Sequence, residues 1–133
     1  MDTTASAHAA ALWVGLHLIL LLVLSVLVVR QRRSHRVAMG DGDIPQLAQA
    51  IRAFGNATEY VPAGLVAIAV LAMVGAPPAV VHATGFTLMA GRIAHAIGLS
   101  RSGGASLPRA AGVMLTWLAY IVAAVALVFN AIP

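Results

Sequence analysis

Four long apolar runs account for most of this chain and decide what it can fold into. They lie near residues 9–29, 46–74, 78–99 and 107–129 of the 133-residue sequence. An α-helix needs about 20 predominantly apolar residues to cross a hydrocarbon core of about 30 Å. Only 9% of the residues are charged and 61% are hydrophobic, which excludes an ordinary soluble domain. The sequence therefore predicts one all-α integral membrane domain over residues 1–133, a bundle of four transmembrane helices.

The placement of the basic residues predicts an orientation in the membrane. Six of the eight, all of them arginine, lie where the first two or the last two runs connect: Arg30, Arg32, Arg33, Arg36, Arg101 and Arg109. The positive-inside rule puts both connections in the cytoplasm and both termini on the other side. Topological anchoring and contact with anionic membrane lipids explain three of these arginines, Arg32, Arg33 and Arg36. No nucleic-acid partner is expected, because these connections lack interleaved aromatic residues and any recognition motif.

The chain contains no cysteine. Disulfides, cysteine nucleophiles and cysteine-based metal sites are therefore excluded. No histidine–glutamate spacing of the HExxH type is present either, so we expect no metal site. Any thiol chemistry would need a thiol that a small molecule supplies.

The second run carries three polar side chains in register: Arg52, Asn56 and Glu59. At about 100° per residue they share one face of a helix. An ionised group at mid-membrane costs roughly 2.5–3.5 kcal/mol, so these residues are expected to have a use. Arg52 and Glu59 lie two turns apart, about 10.5 Å along the axis, which suits a zwitterionic ligand held at two points. A polar clamp to other helices is the alternative, and the residues alone leave both open.

The third and fourth runs add further polar groups. Arg92 and His95 are spaced i, i+3 near the predicted cytoplasmic end of the third run and favour an anion site. Arg109 lies at the predicted start of the fourth helix, where the backbone N–H groups and the helix dipole already attract anions. Gly112 and Thr116 fit the small-residue pattern that allows membrane helices to approach closely.

Local sequence also predicts two helix starts. Asp43 precedes Pro45, and the pair is typical of a capping residue followed by a proline in the first turn. Ser106 lies ahead of the fourth run and is expected to cap that helix with its hydroxyl.

The polar pattern of the second run resembles a known family. Arg52-Ala-Phe-Gly-Asn56-Ala-Thr-Glu59, followed by Pro62, is similar to the R-x-x-x-N-x-x-E-x-x-P motif of the membrane-associated proteins in eicosanoid and glutathione metabolism (MAPEG). Arg92-Ile-Ala-His95 is similar to the R-[VI]-x-H motif of that family's third helix. The resemblance covers almost the whole chain, with the same order of motifs and the same connections.

Two other segments fit the same family. Val29-Arg30-Gln-Arg32 resembles the end of its first helix, and Arg109 falls where its fourth helix begins with an arginine. The resemblance implies a bacterial member in the inner membrane, assembled as a homotrimer with glutathione bound at subunit interfaces that open toward the cytoplasm.

The resemblance also implies roles for individual residues. Asn56 and Glu59 would bind the polar ends of glutathione, while Arg52, Arg92 and His95 would shape the site and meet its carboxylates. Arg30 would reach in from the adjacent protomer. Arg109 would lie near the sulfur as the catalytic residue.

The implied chemistry is activation of the glutathione thiol. Lowering a thiol pKa of about 8.5 by two units needs about 2.7 kcal/mol. One guanidinium at about 4 Å supplies about 4 kcal/mol at an effective dielectric constant of 20, before desolvation is subtracted. Arg109 could therefore suffice for a transferase or peroxidase whose second substrate is a lipophilic electrophile or a lipid hydroperoxide.

Three departures from the family pattern keep other functions open. Leu99 stands where prostaglandin E synthases of this family have a tyrosine, Ala110 replaces a serine after the fourth-helix arginine, and Gly55 replaces an arginine. Prostaglandin synthesis is therefore not supported. The alternatives are a non-catalytic protein of the same fold that binds another anion or a lipid headgroup at subunit interfaces, and a small transporter. A transporter has the poorer case, because no acidic relay continues outward.

Overall fold

The computed structural model describes residues 3–132 and folds them into four α-helices. They are α1 (Thr3–His35), α2 (Pro45–Met73), α3 (Pro78–Arg101) and α4 (Leu107–Ala131). The described part of the chain contains no strand, so the all-α prediction is confirmed. The helices extend beyond most ends of the apolar runs, because a helix continues into polar surroundings wherever its backbone hydrogen bonds persist. Only α2 stops short, one residue before the predicted limit.

Three of the helices, α1 from Thr4 onward, α2 and α4, are long and apolar enough to cross a membrane. The 24-residue α3 is long enough but less apolar, because it contains Arg92, His95 and several glycines. Ten residues of α3 are buried, against four of α4. Neighbouring helices therefore cover much of α3, so it needs fewer apolar side chains than a helix that faces lipid. Its role as the fourth span stays a prediction.

The central pair of the bundle is α2 and α3, each of which contacts every other helix. Over the described residues α1 and α4 flank this pair without touching each other. At one end of the bundle α1 and α3 finish and α2 and α4 begin. We call it the arginine end, because all eight arginines lie toward it. The opposite end, with the turn between α2 and α3, is the turn end. The cytoplasmic location of the arginine end stays a prediction.

Large side chains join the helices at the turn end. The Trp13 ring of α1 packs on Gly85 of α3 so closely that a Cβ there would lie 2.1 Å from the ring. Trp13 Nε1 donates a hydrogen bond to His82 Nδ1 at 3.1 Å. Ser6 Oγ donates to the Ala76 carbonyl at 2.7 Å. These contacts hold α1 against α3 and against the α2–α3 turn.

The helices α3 and α4 cross with their backbones in contact. A Cβ on Gly112 would lie 2.6 Å from the Gly91 carbonyl oxygen, and one on Gly98 would lie 2.7 Å from the Arg109 nitrogen. Thr116 is fully buried at the same crossing. The close approach predicted for Gly112 and Thr116 is therefore confirmed. It brings the polar side chains of α3 directly against α4.

The two predicted helix caps do not form. The residue that precedes α2 is Ile44, and Asp43 instead adopts a left-handed conformation (φ 56°) with its N–H donated to Asp41 Oδ1. Pro45 does begin the helix. Ser106 occupies the cap position of α4, but its hydroxyl makes no capping bond. The hydroxyl is turned toward Gly98 of α3 instead.

Candidate functional site

Arg92 links three helices in the arginine half of the bundle. Its side chain is 2% exposed. Its guanidinium donates from Nε to Thr116 Oγ1 at 2.9 Å, from Nη1 to Asn56 Oδ1 at 2.6 Å, and from Nη2 to the Gly112 carbonyl at 3.2 Å. The planar fork of an arginine suits several acceptors at once. Arg92 therefore fixes α2 and α4 relative to α3.

No carboxylate neutralises Arg92 within residues 3–132. Its guanidinium carbon lies 4.9 Å from the centre of the Tyr60 ring, which stabilises the charge through a cation–π interaction. The Tyr120 hydroxyl donates to the Tyr60 carbonyl at 2.5 Å and so holds α4 against α2. Dipoles and an aromatic face surround the cation, and its positive potential stays available to an anion nearby.

Asn56 connects Arg92 to Glu59. Its side-chain oxygen accepts from Arg92, and its Nδ2 donates to Glu59 Oε2 at 3.4 Å. Because the amide oxygen and nitrogen have different partners, the orientation of the amide is determined. Glu59 is exposed, and neither Glu59 nor Arg52 has a partner on another helix among the described residues. The helix face that holds Arg52 and Glu59 is therefore open.

A cavity of about 290 Å³ lies at the arginine end between α2, α3 and α4. Arg52 of α2 and Arg109 of α4 both line it. The other lining residues are Pro45, Ala48, Gln49, Leu99 and Gly103. Arg109 Nη1 donates to the Gly104 carbonyl at 2.5 Å, which anchors one end of its guanidinium. Two guanidinium groups thus border one small cavity.

His95 lies one helical turn before Leu99, which lines this cavity, and only 6% of its surface is exposed. Its imidazole is within electrostatic range of both Arg92 and Arg109. The backbone nitrogen of His95 would lie 2.6 Å from a Cβ on Gly112. The close contact of α3 and α4 at Gly112 therefore sets the position of His95 relative to the start of α4.

The structure groups most of the predicted site residues and leaves one apart. Arg52, Asn56, Arg92, His95 and Arg109 lie toward the arginine end of α2, α3 and α4, and Glu59 lies at the middle of α2, one turn after Asn56. Arg30 is exposed on α1, which has no contact with α4 over the described residues. Arg30 is not among the residues that line the cavity.

Three partners of Arg92 were not predicted from the sequence: Tyr60, Thr116 and the Gly112 carbonyl. The sequence pattern gave Gly112 and Thr116 a role in helix packing only. The signal for Thr116 was its position one turn after Gly112, on the same face as Arg109. For Tyr60 the signal was weaker, because an aromatic residue in an apolar helix is common.

A larger cavity of about 570 Å³ lies at the turn end, between the start of α3 and the end of α4. Its lining is almost entirely apolar, with Val80, Ile121 and Phe129 among its residues. The one amide in its lining, Asn130, donates to the Ala126 carbonyl of its own helix. A ligand site is expected to combine apolar walls with converging polar groups, so the smaller cavity is the better candidate.

Comparison with known proteins agrees with the four-helix membrane fold. Residues 10–129 match the model of the MAPEG family. The chain is 39% identical over 112 residues to the Inner membrane protein YecN of Escherichia coli strain K12, and the match covers 84% of each chain. The protein of the same name from Escherichia coli O6:H1 matches equally well. The chain is thus similar to an inner membrane protein over most of its length.

Proposed function

The chain belongs to the MAPEG family of multi-pass membrane proteins, and on this premise we propose that it binds glutathione at the arginine end and activates its thiol with Arg109. The observation that carries the proposal is the pair Arg52 and Arg109 on one cavity. Neither guanidinium has a carboxylate partner within residues 3–132. The described site therefore presents unneutralised positive charge where an anionic ligand would enter.

The residues present fit glutathione in charge and spacing. The tripeptide carries two carboxylates, one ammonium group and one thiol. Arg52 and Arg109 complement the carboxylates and a thiolate, while the exposed Glu59 complements the ammonium group. Glu59 lies two helical turns from Arg52, about 10.5 Å along α2. A ligand of this length would therefore meet opposite charges at its two ends.

In a homotrimer with sites between subunits, as the family resemblance implies, a neighbouring protomer would complete this site. The cavity of about 290 Å³ is partly open, and Arg30 of the same chain does not line it. We propose that Arg30 of a neighbouring protomer covers the open part, where it would add a third guanidinium.

Arg92 and Asn56 act as positioning residues in this proposal. The Arg92 guanidinium is buried and bonded to three protein acceptors, which favours positioning over the direct carboxylate contact that the family resemblance implies. It holds the oxygen of Asn56, and Asn56 in turn orients Glu59 toward the ligand. His95 adds a polar group beside Arg109.

Arg109 supplies the electrostatic stabilisation of the thiolate. It lies in the first turn of α4, where the helix dipole adds to its charge. Leu99 and Ala110 provide no hydroxyl, so the guanidinium and the helix N-terminus carry this task alone. When bound, glutathione supplies a thiolate that attacks a lipophilic electrophile or reduces a lipid hydroperoxide from the bilayer.

The test is the ionisation of bound glutathione in purified protein. We expect Arg109→Gln to raise the pKa of the bound thiol by about two units, measured by ultraviolet absorbance of the thiolate, while calorimetry still detects binding. Arg36→Gln, in the α1–α2 connection, removes the same charge away from the cavity and should change neither quantity. An unchanged titration in Arg109→Gln would exclude the role of Arg109. Failure of the unmodified protein to bind glutathione at millimolar concentration would exclude the whole proposal.

The second candidate is a non-catalytic protein that binds another anion or a lipid headgroup at the same subunit interfaces. Leu99 and Ala110 favour it, because both remove hydroxyl groups that other branches of the family carry near the sulfur. Turnover of a generic aryl halide with glutathione distinguishes the two. Absence of turnover together with failure to bind glutathione at millimolar concentration would support the second candidate.

A further inference from the structure

A second groove at the arginine half of the bundle faces outward between α1 and α3. Leu20, Leu24 and Leu27 form its α1 wall, and Ile93 and Ile97 form its α3 wall. Its volume is about 270 Å³. None of its lining residues lines the cavity between Arg52 and Arg109. The groove is therefore lined by different residues from that cavity, and the inference drawn from it does not rest on glutathione binding.

The α3 side of this groove is exposed, and Leu24 on its α1 side is buried. Ile93 and Ile97 are each 42% exposed, whereas Leu24 is 5% exposed. Because α1 is long and apolar enough to cross the membrane, we infer that the exposed residues of the groove meet the hydrocarbon of the bilayer. From Leu20 to Leu27 it runs about 10.5 Å along the helix axis. This length and apolar character suit a segment of an acyl chain.

The groove ends at a free cation. Arg101 is the last residue of α3, lines the end of the groove and is exposed. It makes no hydrogen bond or ion pair within the described residues. The neighbouring Ser100 donates its hydroxyl to the Ala96 carbonyl, so it does not occupy the guanidinium. An arginine at the end of a membrane helix extends its charge to the headgroup region.

We propose that this groove binds an acyl chain of an anionic phospholipid whose headgroup phosphate is bound by Arg101. Charge complementarity selects the anionic class, because Arg101 lies at the end of the bundle where all the arginines gather. Basic pockets between membrane helices are known to bind anionic headgroups in this way. Arg101 also offers two parallel donors, which match the geometry of a phosphate.

The first experiment measures the preference for headgroup charge. Delipidated protein in detergent is titrated with phosphatidylglycerol and with phosphatidylcholine of the same chain length, and retained lipid is counted by native mass spectrometry. We expect the unmodified protein to prefer phosphatidylglycerol and Arg101→Gln to lose about five-fold of that preference. Arg36→Gln is the matched control: it removes one arginine outside the groove and should cause a clearly smaller loss. No preference in the unmodified protein, or an equal loss in both variants, would overturn the proposal.

The second experiment identifies the occupant. Because the chain has no cysteine, Ile97→Cys introduces a single thiol at the groove for a fluorescent label. In vesicles with nitroxide-labelled phosphatidylglycerol chains we expect stronger quenching than with labelled phosphatidylcholine, and Arg101→Gln should remove the difference. Leu118→Cys on the outer surface of α4, where Leu118 is 49% exposed, should show no difference. Disulfide cross-linking of two copies through Ile97→Cys would assign the groove to a protein interface instead.

Discussion

The two halves of the bundle are held together by different means. The core at the turn end is made of apolar side chains, including Trp13, Ile68, Leu71 and Leu88. The apolar core at the arginine end is smaller: Leu24, Ala53, Ala57, Val61, Ala96 and Leu99. In this half Arg92 also joins three helices through its hydrogen bonds to Asn56, Thr116 and the Gly112 carbonyl.

Because of this difference, stability and ligand binding depend mainly on different halves of the bundle. Between membrane helices, apolar burial gives little driving force, because lipid is as apolar as leucine, and close packing takes its place. At the turn end, the Trp13 ring packed on Gly85 provides this close packing. At the arginine end, a buried cation costs free energy, so its retention indicates a use beyond packing. Substitutions in the two halves should therefore change different properties.

The largest effect on stability is expected at the crossing of α3 and α4, where the backbones of the two helices are in contact. Gly112→Ala would press a methyl group against the backbone of Gly91 and His95, which cannot move without separating the helices. We expect the free energy of unfolding to fall by about 3 kcal/mol, the upper part of the range for overpacking. Denaturant-induced unfolding of the purified protein in detergent measures it.

A matched control for that substitution exists on α2. A Cβ on Gly55 would have no neighbour within 4 Å, and alanine has the higher helix propensity by about 1 kcal/mol. Gly55→Ala should therefore leave stability unchanged or raise it. Equal losses of unfolding free energy in Gly112→Ala and Gly55→Ala would show that the close contact of α3 and α4 does not cause the loss.

A smaller effect is expected in the core of the turn end. Leu71 is fully buried, and Leu71→Ala would leave a cavity that costs about 2 kcal/mol, the lower part of the range for such changes. Glutathione affinity should not change, because the contacts of Leu71 lie away from the arginine end. Val66→Ala is the control, since Val66 is 64% exposed. A loss of affinity in folded Leu71→Ala would contradict the division between the two halves.

The smallest effect on stability, with a clear effect on binding, is expected at Asn56. Asn56→Ala removes one acceptor from Arg92 and the donor to Glu59, at a cost of about 1 kcal/mol in unfolding free energy. Glutathione affinity should fall about ten-fold, equivalent to about 1.4 kcal/mol, as measured by calorimetry. Thr58→Ala is the control, because the Thr58 hydroxyl bonds only to the Gly55 carbonyl of its own helix. If both variants bind glutathione equally well, Asn56 does not position the ligand site.

Much of the fold was predictable because membrane helices have a strong sequence signal. Length and apolar character located all four helices, and the small residues at Gly112 and Thr116 indicated the close crossing. The caps failed, because the Ser106 hydroxyl turned toward Gly98 and Ile44, rather than Asp43, preceded α2. Cap geometry depends on what lies beside the helix end, and a local pattern does not contain that information.

The candidate site was predictable only in part. Helical periodicity placed Arg52, Asn56 and Glu59 on one face, but it did not show which of them would meet another helix. Asn56 bonds to Arg92, while Arg52 borders the cavity with Arg109. The hydrogen bond between Arg92 and Thr116 was unpredictable for the same reason, because the two residues lie on different helices.

The sequence by itself determined the number and order of the helices, the membrane class and the gathering of arginines at one end, because these follow from composition along the chain. Only the tertiary structure decided which polar groups meet. The rotation of each helix and the distance between α3 and α4 depend on contacts at Gly91, Gly98 and Gly112. Those contacts join residues far apart in sequence, and they give Arg92 its partners and bring Arg109 to the cavity that Arg52 borders.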